Sequence, residues 1–154
     1  MLSASPSYRT NAALSQASTL AQLAREENRA QERKACLCAC LWQLELAQRA
    51  FSGELLQHHH ALDPTNLTIE QLIEQLAGQD KILPELNQLR QLRQQHPTLV
   101  IAARVAISGA MPAAPTDNQL IGSQWQVPDA NAVQQACAAL VELVELARKT
   151  SQEW

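Results

Sequence analysis

Glycine and aromatic residues are scarce in this chain of 154 residues, which has four glycines and only 3% Phe, Trp and Tyr. So few glycines exclude the turn density of a sandwich or barrel and leave no glycine-rich loop to cradle a phosphate. The lack of aromatics removes the stacking platforms that bind single-stranded bases. A formal net charge of −3 likewise lacks the cationic excess by which phosphate backbones are held, so nucleic acid is an unfavoured partner. The apolar run Leu99–Ala103 is interrupted by Arg104 and falls far short of the roughly 20 residues that cross a bilayer. No basic start followed by an apolar run opens the chain, so the expectation is a cytoplasmic protein with reduced thiols. Gly-x-Ser-x-Gly and His-Glu-x-x-His are absent, as are carboxylates paired in a plausible cleft.

What is present is helix-patterned apolar sequence. Hydrophobic residues make up 46%, enough for a core, and that core must come from Leu, Ala, Val and Ile. The first helix is expected to open near Thr10 or Asn11, with Leu14, Ala17, Ala21 and Ala24 at three- and four-residue spacing. No Gly or Pro interrupts residues 7–52. A single helix that long would span roughly 70 Å, too much for a compact domain, so a break is expected at Asn28, with Gln31 completing a capping box. The second helix then runs from Arg29 towards Gln57 along Leu37, Leu41, Leu44 and Ala47. Thr68 and Gln71 form a capping box for a short helix closed by Gly78. A fourth helix ends at Gln95 before His96-Pro97, and a fifth covers Leu99–Ser108. Residues 110–128 read as an extended connection, strand-like near 120–127 around Trp125, and Asp129 caps the last helix.

Several residues have the chemistry for a site. Cys36, Cys38 and Cys40 cluster in sequence, and Cys137 can join them from the last helix. Helical rotation of roughly 100° per residue places Cys36 and Cys40 on one face and Cys38 nearly opposite. Core packing is therefore the favoured reading, with a metal site at Cys36, Cys40 and Cys137 as the alternative. His58, His59 and His60 fan apart on a helix and suit its C-terminal dipole better than one metal ion. Arg90 and His96, with five residues between them, resemble the Arg-x(4–6)-His pattern of HEPN-type helical ribonucleases, which implies a histidine base and a phosphate-stabilising arginine. Arg25, Arg29 and Arg33 step by four but interleave with Glu26, Glu27 and Glu32, as a mixed-charge surface does. Arg104 is a lone charge in an apolar helix and the choice for contacting a small anionic ligand, whereas Glu45 is expected to face solvent.

Arg9-Thr10-Asn11, Arg33, the Pro-containing connection ahead of Leu120-Ile121-Gly122-Ser123, and the closing Glu153-Trp154 carry a resemblance. In their order of elements they resemble a small uncharacterised all-helical gammaproteobacterial family of the Pseudomonas type. The resemblance implies a helical fold and a bacterial cytoplasmic setting, and no activity. The expected architecture is all-α, one domain over residues 1–154, an antiparallel bundle of five to six helices with one extended segment. The expected function is a non-enzymatic interaction or scaffolding module, without a cofactor, that binds a protein partner or forms a homodimer. The homodimer contact would lie on the last helix, where Val141, Leu143 and Leu146 widen the apolar face.

Overall fold

Ser5 followed by Pro6 starts the first helix. Ser5 Oγ accepts from Tyr8 N at 3.3 Å, and Pro6 occupies the first turn, where a missing N–H costs nothing. A computed structural model describes residues 5–57, 67–108 and 127–152. Among them are six helices and no strand: α1 Pro6–Glu26, α2 Ala30–Leu55, α3 Ile69–Gly78, α4 Pro84–Gln95, α5 Pro97–Ser108 and α6 Ala130–Gln152. The all-α bundle is as expected, although α1 opens four residues ahead of Thr10. The histidine run and, apart from Val127, the strand-like stretch near 120–127 lie outside the described residues.

The break between α1 and α2 falls where chain length demanded it, but by another device. Asn28 caps nothing among the described hydrogen bonds, and Arg29 takes the N-cap position without a side-chain bond to the helix. The Glu27 carboxylate instead accepts from Arg29 N at 3.0 Å and from Arg29 Nε at 3.1 Å. The Glu27 carbonyl accepts from Arg33 Nε and Nη2 at 2.9 and 2.8 Å. Two arginines thus clamp the reversal, and the Arg29 hydrogen bonds lower the Glu27 pKa.

The central unit is α1, α2 and α6. α1 returns antiparallel along α2, and Cys40 Sγ donates to Ala17 O at 3.1 Å. α6 also runs antiparallel to α1, because Arg25 meets Gln134 at one end and Asn11 meets Arg148 at the other. Ala17, Ala21 and Ala24 are essentially fully buried, and these small side chains let α1 lie close to its neighbours. Leu41, Leu44, Phe51, Val133 and Leu140 fill the seam. Fully burying one such side chain contributes about 1.5–3 kcal/mol. α5 and α4 cross a second side of α2 through Leu99, Ala102 and Leu89. Leu56, Leu72, Leu76 and Leu86 close a smaller cluster at the far end of α2.

The end of α3 departs from the sequence reading. The capping box at its start is present, with Gln71 N bonded to Thr68 Oγ1 at 3.1 Å and Thr68 N to Gln71 Oε1 at 2.9 Å. At its close, however, Gly78 is still helical. The left-handed residue is Asp80, with φ 54°. Lys81 N bonds to Leu76 O and Asp80 N to Ala77 O, a paired closure that places the left-handed position two residues beyond Gly78.

Candidate functional site

Cys40 and Cys137 are buried in the seam between α2, α1 and α6, while Cys36 is only half-buried. Ser18 Oγ and Cys137 Sγ share a hydrogen bond of 3.2 Å. Burial pushes the Cys40 thiol up to about 12, and burial raises Cys137 as well. Cys38 faces away from that core yet is 2% exposed. Burial raises its pKa too. Thiols held protonated are poor nucleophiles and poor metal ligands. Among the described residues no three Cys, His, Asp or Glu side chains gather around a point that one metal ion could occupy, so Cys36, Cys40 and Cys137 are not brought together as a ligand set.

The polar residues of α2 form two networks. Glu45, expected in solvent, is 6% exposed, and its carboxylate takes Arg49 Nε at 2.8 Å. Gln48 is 1% exposed and donates to Leu99 O at 3.2 Å, while its own carbonyl accepts from Arg93 Nη1 at 3.1 Å. Arg93 Nε is buried and unpartnered among the described residues. This network ties α2 to α4 and α5, and Glu45 finds its cation one turn along α2 rather than at Arg104. At the other end, Arg148 Nε and Nη2 grip the Glu54 carboxylate at 2.8 and 3.0 Å. Thr10 Oγ1 donates to the same carboxylate at 3.1 Å, and Arg148 Nη1 donates to Asn11 Oδ1 at 2.7 Å. The Glu54 hydrogen bond raises the Arg148 pKa, and the knot locks the ends of α1, α2 and α6. Apart from Arg93 Nε, the polar groups of both networks are engaged by protein partners, which suits holding helices in register.

The remaining candidates are dispersed. Arg90 is exposed on α4 and His96 is half-buried at its C-cap, and no hydrogen bond joins them. Arg104 is exposed on α5. Leu143 is 8% exposed in the core and Val141 packs against it, leaving Leu146, 55% exposed, as the outward apolar residue of that trio on α6. Two features escaped the sequence reading. Trp42 and Leu46, 43% and 40% exposed, stand one turn apart on the outer face of α2 beside Ala35, Ala39 and Ala50. A helical wheel would have found them, since both fall opposite the stripe of Leu37, Leu44 and Phe51. The second is a cleft of about 600 Å³ where the α1–α2 turn meets the start of α6, with Arg25, Arg33 and Lys34 at its rim. Lys34 was not singled out because it stands among charges of both signs.

Fold and surface together describe an all-helical bundle with its polar residues spent on joining helices. No helix among the described residues is long and apolar enough to cross a membrane. The chain belongs to a family of unknown function, DUF6586, whose model matches residues 1–154. No curated protein and no solved structure matches it significantly.

Proposed function

We propose that the chain is a non-enzymatic interaction module that receives an apolar helix of a partner protein across the outer face of α2. The supporting observation is the exposed pair Trp42 and Leu46. An indole is a large, rigid anchor, and aromatic residues dominate the energetics of protein contacts. The small residues Ala35, Ala39, Ala50 and Gly53 beside the pair leave room for a second backbone to approach. Anchors at i and i+4 are also the spacing by which one helix reads another.

The test compares the full chain with a Trp42→Ser, Leu46→Ser double variant, by affinity capture from native lysate followed by crosslinking from a photoreactive residue at position 39. The reading expects a partner that crosslinks at that position and is lost in the double variant, while the circular dichroism spectrum is unchanged. Equal capture by both proteins, or no capture by either, refutes it. A dimer mass in sedimentation that persists in the double variant would also refute it, by placing the contact elsewhere.

A further inference from the structure

We propose that the cleft between the α1–α2 turn and the start of α6 binds a small phosphate-bearing molecule that has an apolar part. The protein is acidic overall, with a net charge of −3, yet this cleft gathers Arg25 from α1 and Arg33 and Lys34 from α2. The acids nearby are engaged elsewhere. Glu27 is held by Arg29, Glu32 lies 3.5 Å from Arg29 Nη1, and Glu26 accepts from Gln22. Asp129, the one carboxylate on the rim among the described residues, accepts from Ala132 N at 2.7 Å to cap α6. Lys34 has neither a hydrogen bond nor an ion pair among the described residues, although it is half-buried.

Arg25 and Arg33 are oriented by their neighbours instead of neutralised. Arg25 Nη1 donates to the Gln134 amide oxygen at 2.6 Å, and Arg33 is fixed by the Glu27 carbonyl. Both acceptors are uncharged, so both guanidiniums keep their full positive charge over the cleft. The α6 axis starts at the same place and adds the positive end of its dipole. Leu37 and Val127 supply an apolar wall, and a volume of about 600 Å³ matches the clefts that hold small ligands. A lone inorganic ion would leave that wall unused, so the ligand class is a phosphomonoester or pyrophosphate ester.

The experiment titrates phenyl phosphate and, separately, inorganic phosphate into the full chain at low salt and reads amide shifts by NMR. Saturable binding of phenyl phosphate is expected with a Kd of about 1 mM or tighter, at least roughly threefold tighter than inorganic phosphate. Shifts should be confined to residues 24–37 and 127–134. Lys34→Gln removes a charge without breaking any internal bond and should weaken binding roughly fivefold, and Lys34→Glu more so, whereas Lys149→Gln on the last turn of α6 leaves it unchanged. Added salt should weaken binding. Shifts scattered over all basic residues, equal affinity of the two probes, or an unaffected Lys34→Gln variant would overturn the proposal. The outcome is independent of the α2 contact face, because neither Trp42 nor Leu46 lines the cleft.

Discussion

Replacing Gly78 with alanine should stabilise this protein, which is the opposite of what a helix-terminating glycine would do. A glycine in the left-handed cap position cannot be replaced without forcing a Cβ against the following carbonyl, a cost of about 1–2 kcal/mol. Gly78 is not in that position. It lies inside the last turn of α3 with φ outside the left-handed range, and a Cβ built on it meets nothing within 4 Å. Alanine there adds no clash, restricts the unfolded chain and improves helix propensity, for a gain of about 0.5–1 kcal/mol. The left-handed strain sits at Asp80, so Asp80→Gly should also stabilise, by less, because glycine loses more entropy on folding. Urea denaturation followed at 222 nm, with hydrogen exchange of the Leu76 to Lys81 amides to localise the effect, measures both. For a chain of this size the Gly78→Ala gain corresponds to an increase of roughly 1–4 °C in Tm. A loss of stability in Gly78→Ala with an unchanged m-value would refute the assignment of the cap, and with it the geometry joining α3 to α4.

Leu140→Ala opens a cavity in the seam shared by α1, α2 and α6 and should cost about 2–5 kcal/mol, whereas Leu146→Ala, exposed on the same helix, should fall within about 0.5 kcal/mol of wild type in the same urea series. Native-state titration with an aromatic disulfide reagent at pH 8 should label Cys36 first, with Cys40 and Cys137 reacting only on unfolding; fast labelling of Cys40 would contradict its burial and raised pKa. Arg148→Met leaves the Glu54 carboxylate with Thr10 alone and should cost about 1.5–3 kcal/mol, and Glu54→Gln, which keeps hydrogen-bond capacity, should cost less; equal losses would show that charge, not bonding, holds the knot. Because the folded-state pKa of Glu27 is depressed, its contribution is complete above the ordinary carboxylate range and fades as pH falls through the depressed value. A carbon-detected NMR titration should find the Glu27 midpoint moving up in Arg29→Gln, and an unchanged midpoint would break the clamp model of the α1–α2 turn.

Local signals in the sequence were read correctly wherever a single helix carries the information. The apolar stripes of α1, α2 and α6, the Thr68–Gln71 box and the Asp129 cap each depend on residues within one or two turns of one another, and each appears in the structure. Two errors were also local. Ser5-Pro6 is a complete start signal, and the apolar periodicity that points to Thr10 begins further on. Glycine's preference for the left-handed cap points to Gly78, although Asp tolerates the same backbone and stands two residues later.

Glu45 departs from expectation for a different cause. It lies on the side of α2 away from α1, where helical rotation alone predicts water. It is buried beside Gln48, which bonds to Leu99 of α5, and nothing within α2 encodes which later helices will cover that side. The same tertiary fact makes the outer face visible. Once α1 and α6 cover one side of α2 and α5 a second, the remaining strip carries Trp42 and Leu46. An indole left in solvent on the longest helix described, while Phe51 on the same helix is fully buried, is not a shortage of core space. The cleft at the α1–α2 turn depends on contacts further apart still. Lys34 and Asp129 are distant in sequence, and they share a rim only because α6 runs parallel to α2 and starts beside the α1–α2 turn. Charge patterning along α2 shows a mixed surface, and only the register of α6 against α1, fixed by Arg25–Gln134 and by the Arg148 knot, gathers Arg25, Arg33 and Lys34 around one cleft, with Asp129 as the single acid among its described lining residues.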